Sequence, residues 1–224
     1  METCTPIVSA HPKSYYYGAN EVPDLPEARS RMEAALKNGA VIIGEQKFSV
    51  QVDSPEMEMV YGLAQEYDVP VLMHFQFETF NLGFDRLGKV MEKWKKVKFI
   101  AHSVGFWTNI DAGLAGQEVG YPKGKIIKPG GISDKYLSDY PNFYGDLSAG
   151  SGLNALTRDE DHARAFIERH QDKLLYGSDC ADPAGFGPTC IGASLVAAVK
   201  RLSPSKEIER KLLYGNAKRM FRLD

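Results

Sequence analysis

The most constraining feature of this sequence is a recurrence in which short, continuous apolar runs alternate with longer segments of helical periodicity. Residues 7–10, 40–45, 69–74, 97–102, 143–147 and 173–179 read as strands. Between and after them, residues 26–38, 56–67, 83–95, 158–170, 193–202 and 206–221 read as helices. The first helix places Ala28, Met32, Ala35 and Leu36 near one face and meets Gly39 as a stop. The second follows Ser54-Pro55, an N-cap and a proline at the first helical position. Strands that are apolar throughout are buried on both faces, which implies a parallel sheet covered by helices. The class predicted is α/β, one domain over residues 1–224 without linker, repeat or low-complexity segment. Residues 103–131, rich in glycine and polar side chains, read as a long loop.

Composition narrows the partners. The formal net charge is -2 and both signs are interspersed, so no basic stripe offers a nucleic-acid surface. No apolar stretch approaches the roughly 20 residues that span a bilayer. The opening Met1-Glu2-Thr3-Cys4-Thr5-Pro6 lacks the pattern of a secretory leader. Three cysteines do not make a disulfide framework. A cytoplasmic protein acting on a small molecule is expected.

The chemistry lies where the polar residues fall. Glu45, His74, His102 and Asp179 each close a different strand pattern. In parallel α/β folds the C-terminal ends of the strands are where ligands bind. A single histidine after an apolar run is ordinarily structural, but two histidines and two carboxylates on four strands converge on one rim. Imidazole and carboxylate together suit zinc or a similar first-row ion. Such an ion acidifies water, and a carboxylate beside it could serve as general base. Asp179 suits both roles, with His102 as its catalytic partner.

Several segments together resemble the amidohydrolase-related superfamily, in its amidohydrolase 2 branch. They are residues 70–76 (PVLMHFQ), 99–102 (FIAH), 175–179 (LYGSD) and 214–219 (YGNAKR). The resemblance runs from about Pro6 to Leu223 and implies a (β/α)8 TIM barrel with a divalent metal at its rim, zinc first and manganese second. On it, His74 matches the fifth-strand histidine, His102 the sixth-strand histidine and Asp179 the eighth-strand aspartate. Glu45 ends the fourth strand, where some members place a carboxylate or a carboxylated lysine, and Lys47 lies two residues on. The activity implied is hydrolysis of an amide, ester or lactone by metal-activated water. Decarboxylation on the same scaffold, or a barrel without catalysis, are the alternatives.

One departure is large. The family's first strand ends in a His-x-His pair, and no His-x-His occurs in this sequence. Residues 7–11 align with the third strand, so an incomplete barrel is expected, with strands three to eight present and strands one and two missing. A homodimer covering the open sheet edges would follow. His11 ends the first run, though a turn before Pro12 is its plainer role.

Other residues carry weaker signals. Phe106, Trp107 and Asn109 follow His102 and could line a substrate pocket. Ser148, Ser151 and Asn154 fall in a Gly/Ser-rich turn that could cradle an anion. His162 and His170 sit on a charged helix and read as solvent-facing. Cys180 follows Asp179 directly and Cys190 is nearby; a rim thiol could touch a ligand, though a small buried thiol is the plainer reading, and Ser178 lacks the elbow of a nucleophile. Lys123, Lys125 and Lys128 read as a solvated loop.

Overall fold

The computed structural model describes residues 4–124, 126–182, 185 and 190–223. Six strands occur in chain order: β1 (Gly18–Ala19), β2 (Ile42–Gln46), β3 (Val71–His74), β4 (Phe99–His102), β5 (Phe143–Asp146) and β6 (Leu174–Leu175). They form one parallel sheet in the order β1-β2-β3-β4-β5-β6. The α-helices are α1 (Thr5–Ala10), α2 (Ala28–Lys37), α3 (Pro55–Tyr67), α4 (Leu87–Lys93), α5 (Val104–Thr108), α6 (Ile132–Asp139), α7 (Ala149–Thr157), α8 (Glu160–His170), α9 (Ile191–Leu202), α10 (Lys206–Arg210) and α11 (Asn216–Phe221). A π-helical turn, Lys211–Gly215, joins the last two. Among the described residues no pairing joins β6 back to β1, so the sheet is open.

Side chains alternate across a strand with period two, and the register carries this alternation through the sheet. Ile43, Val71, Met73, Phe99, Ala101, Phe143 and Leu174 face the helices. They are buried with Met32, Leu63, Leu87, Phe166 and Leu195 in the main core. On the other face Ile100 and Leu175 join Met220 of α11 in a small second cluster, with Ile42, Leu72, Tyr144, Ala217 and Phe221 only half-buried around it. His74 pairs with His102 in register and belongs to this second face, above Leu72 and Ile100.

Helix starts follow local chemistry. Ser54 accepts the Met57 amide at 3.3 Å and Pro55 opens α3, as its sequence predicts. Asp159 caps α8 by accepting the His162 amide at 3.1 Å.

The first predicted strand is corrected. Residues 5–10 form helix α1, opened by Pro6, and Ile7 is 53% exposed. A short apolar run with a proline at its start and nothing to pack against gains nothing from a sheet. Gly18 and Ala19 take the strand position instead, and a Cβ on Gly18 would stand 2.6 Å from the Gly44 carbonyl oxygen. Within 103–131, read as loop, Val104–Thr108 is helical. The Gly/Ser-rich turn after β5 is helix α7. There Gly152 is required, since a Cβ would lie 1.9 Å from the Leu147 carbonyl oxygen. The helix packs so closely against the end of β5 that only glycine fits, and the same glycines hide it from propensity.

Among the described residues no helix is long and apolar enough to cross a membrane.

Candidate metal centre

Three of the four predicted rim residues come together. Potential ligand atoms of Glu45, His74 and His102 all lie within 4.8 Å of one another. His74 and His102 reach that place because β3 and β4 run in register. Glu45 reaches it by an irregularity: Ile43 pairs with Val71 but Gln46 with Met73, so β2 has three steps against two in β3. An extra residue flips the facing of every later residue in the strand. Without it Glu45 would face the helices. Gly44, at φ +146, sits in the bulge, where a Cβ would meet the Leu72 carbonyl oxygen at 2.8 Å.

The hydrogen bonds assign the imidazole nitrogens. A carboxylate only accepts, so His74 Nδ1–H donates to Glu45 Oε1 at 2.5 Å. Its Nε2 faces Ser103 Oγ at 3.0 Å and Gln76 Oε1 at 3.2 Å. His102 Nδ1–H donates to Asp146 Oδ2 at 2.7 Å. The Ser148 hydroxyl donates to the same oxygen. Asp146 thereby leaves the Nε2 lone pair of His102 directed elsewhere, toward Glu45 Oε1 at 3.6 Å and Asp179 Oδ2 at 4.0 Å. Asn81 braces the rim from below, its amide donating to the Gln46 carbonyl at 2.6 Å and the His74 carbonyl at 2.8 Å.

Electrostatics agree with the geometry. The Glu45 carboxyl is held below its ordinary value, first by the hydrogen bond from His74, against the opposing effect of burial, and further by the charges of His102, His74 and Lys47. For His102, burial alone would lower the pKa. The hydrogen bond to Asp146 and the charges of Asp146, Glu45 and Asp179 outweigh it, so the net shift is upward.

The donor set fits a divalent ion. Donors that share one ion at about 2.1 Å stand roughly 3 to 3.5 Å apart. The gaps from His102 Nε2 to the two carboxylates are too wide for hydrogen bonds and close to that spacing. Asp179 stands at the margin: its side chain is 59% exposed, its backbone is left-handed at φ +46, and among the three cluster residues it approaches His102. The cluster opens into a trough of about 270 Å³ that runs down the second sheet face past Leu72, Ile100 and Leu175 to Ala217 and Phe221.

The remaining predicted residues fall elsewhere. Phe106 and Trp107 are core, 0% and 3% exposed, and do not line a pocket beside the cluster; the Trp107 indole N–H donates to the Asp146 carbonyl at 3.0 Å. This corrects their assignment to substrate binding: they face inward because residues 104–108 are a packed helix, not a loop. Asn109 donates to the Gly105 carbonyl and lines a separate cavity of about 740 Å³ with Phe75, Phe77, Phe80 and Phe84. Lys47 holds its ammonium over the Phe80 ring, 5.6 Å from the centroid.

His11 caps the exposed end of α1. His170 is corrected from solvent-facing to buried, with Nε2 2.6 Å from Asp134 Oδ1. His162 is half-buried, stacked on Phe166. Ser151 is buried in α7, and Asn154 donates to the Pro122 carbonyl at 3.4 Å. Lys123 and Lys128 are exposed, and Lys125 lies outside the described residues.

Asp146 and Ser103 are the residues that the sequence did not single out, and Ser148, read there as part of an anion cradle, instead braces Asp146 and His102. Asp146 carries the same signal as the others, a carboxylate at a strand end. Leu147 after it made the apolar run seem to continue.

Residues 135–223 match the family model described as Amidohydrolase. The match covers about two fifths of the chain and includes two of the four resembling segments, residues 175–179 and 214–219. Within that segment Asn216, of the 214–219 motif, clamps the carbonyls of Gln171 at 2.7 Å and Leu174 at 2.8 Å, so the motif secures β6. A search of curated proteins finds no match. Among solved structures, an uncharacterised TIM-barrel protein from Bordetella bronchiseptica is 16% identical over 99% of this chain and 72% of that one, at TM-score 0.68. A protein described as a 2-pyrone-4,6-dicarboxylic acid hydrolase from Pseudomonas putida is 12% identical over 100% and 77%, at 0.67. A dihydroxybenzoic acid decarboxylase from Polaromonas, with bound manganese and 2-nitroresorcinol, is 17% identical over 99% and 73%, at 0.60. The fold is that of an incomplete TIM barrel.

Proposed function

We propose that this chain is a metal-dependent hydrolase of small molecules, cleaving an amide, ester or lactone. The observation that supports it most is the His102 Nε2 lone pair, freed by the Asp146 hydrogen bond and facing two carboxylates across gaps suited to an ion. Glu45, His102 and Asp179, joined by His74 once its Nδ1 gives up the proton shared with Glu45, would hold a divalent cation, zinc or manganese, which would polarise a water or a substrate carbonyl. Asp179, the exposed carboxylate at the rim, would accept a proton at Oδ2 and return it to the leaving group. His102, buried and braced by Asp146 and Ser148, would keep its ring orientation throughout. The apolar walls of the trough would exclude water around the reacting group.

Decarboxylation of an aromatic or enoic acid is the second reading, and the fold shared with a manganese-containing decarboxylase favours it. In that case His102, whose pKa is raised, would deliver the proton that replaces carbon dioxide. One panel separates the two. Purified protein supplied with manganese or zinc is tested on pyrone and lactone carboxylates and on dihydroxybenzoates, with ring opening and carbon dioxide release followed together. Ring opening without carbon dioxide supports hydrolysis, the reverse supports decarboxylation, and neither on any substrate counts against both. A homodimer covering the β1 and β6 edges is also proposed, since neither has a second sheet partner among the described residues. A monodisperse monomer in light scattering contradicts it.

A further inference from the structure

Next to Asp179 in the chain begins a pair of sulfurs that the proposed chemistry does not use. Cys180 follows Asp179, and its Sγ is 3.0 Å from that of Cys190, although neither is in a disulfide. Each is positioned from a different side. Cys190 is the residue before α9, where its carbonyl accepts the Ser194 amide at 3.1 Å, and it is 3% exposed. Cys180 is partly exposed, and its amide reaches Ser178 Oγ at 3.4 Å. Ser178 in turn packs on the first turn of α9 so closely that a Cβ on Gly192 would lie 2.7 Å from the Ser178 Cβ. The contact therefore follows from how the chain after β6 seats against a helix of 12 residues. A covalent disulfide needs its sulfurs at about 2.05 Å, which asks each to move by no more than about 0.5 Å.

We propose that Cys180 and Cys190 are a redox site that a hydroperoxide oxidises to a reversible disulfide. The partly exposed Cys180 reacts first. Its sulfur takes the distal hydroxyl of the peroxide, the O–O bond breaks, and the thiol proton leaves with the other oxygen as water (for hydrogen peroxide). The resulting sulfenic acid stands against the buried Cys190, whose sulfur displaces the hydroxyl as a second water and closes the S–S bond. Each sulfur gives up one electron and the peroxide gains two. A thiol such as dithiothreitol reverses the step by exchange. Cys4, exposed beside α1, lies outside the pair.

The site is independent of the metal reading, because its readout is thiol chemistry alone. The full chain is reduced, freed of reductant, treated with stoichiometric hydrogen peroxide, and digested with trypsin after denaturing alkylation. Residues 174–200 contain both cysteines and no internal lysine or arginine. The expected result is that this peptide becomes about 2 Da lighter and escapes alkylation. Cys4 stays alkylated, and dithiothreitol restores both thiols. The same outcome is expected in C4S. In C190S, Cys180 is expected to accumulate sulfenic and sulfinic acid instead, which keeps the test informative if one variant folds poorly. Wild-type protein in which both thiols still alkylate overturns the proposal. So does overoxidation of Cys180 without a link, or a bond to Cys4 or to a second chain.

Discussion

The two faces of the sheet are made from alternate residues of the same strands, yet they differ in almost every physical respect. The helix-covered face buries Ile43, Val71, Phe99 and Phe143 at 0–1% exposure in one continuous core. The other carries a small cluster around Ile100, Leu175 and Met220 whose neighbours are half-open, and above it the titratable residues. The main apolar core lies on one face and the titratable cluster on the other. Alternation along the strands puts His74 and His102 on that face, and one extra residue in β2 turns Glu45 to join them.

The largest effect is expected on the buried face. Phe99→Ala removes a ring packed edge-on against Tyr61 and should cost about 3–5 kcal/mol in chemical denaturation. A loss below about 1 kcal/mol would show that this face is not the principal core. Next in size, Asp146→Asn should weaken divalent-ion binding about 10–100-fold through loss of the hydrogen bond that orients His102. Its denaturation midpoint should move little, and unchanged ion affinity would remove Asp146 from the site. Leu72→Ala, on the half-open face, should cost only about 1 kcal/mol. A cost equal to that of Phe99→Ala would erase the contrast between the faces.

The smallest effect near neutrality concerns acid. Burial alone would raise the Asp134 pKa, but the His170 hydrogen bond, the charges of Arg169 and His170 and the Gly130 amide hold it below its ordinary value. A depressed carboxyl contributes stability that is present above the unfolded pKa of about 3.9 and is lost as pH falls through the folded value. Asp134→Asn should therefore flatten the acid limb of the stability curve. A limb of unchanged steepness would assign acid unfolding to other carboxylates.

Much of this contrast was legible in the sequence. The apolar runs read at 69–74, 97–102 and 143–147 contain β3, β4 and β5, although one face of those strands is only half-buried, and His74 and His102 marked the rim because each ends its run. Glu45 reaches the face of His74 and His102 for a reason that spacing does not contain. Residues 43 and 45 share parity, and only the bulge separates their faces. Residues 7–10 misled because apolarity without a packing partner is not a strand signal, and Pro6 began a helix. Phe106 and Trp107 misled because a five-residue helix lacks enough periodicity to be told from a loop. His170 misled because its helix is charged, whereas the partner that buries it, Asp134, is 36 residues away.

We propose that the open face holds a divalent cation through Glu45, His74 and His102. Titration of the metal-free chain with manganese, followed by loss of the free-ion signal in electron paramagnetic resonance, tests it directly. One ion should be bound per chain, and His102→Ala should lose it while circular dichroism stays unchanged. A full free-ion signal in the presence of excess folded protein, with zinc failing to bind as well, would contradict the claim.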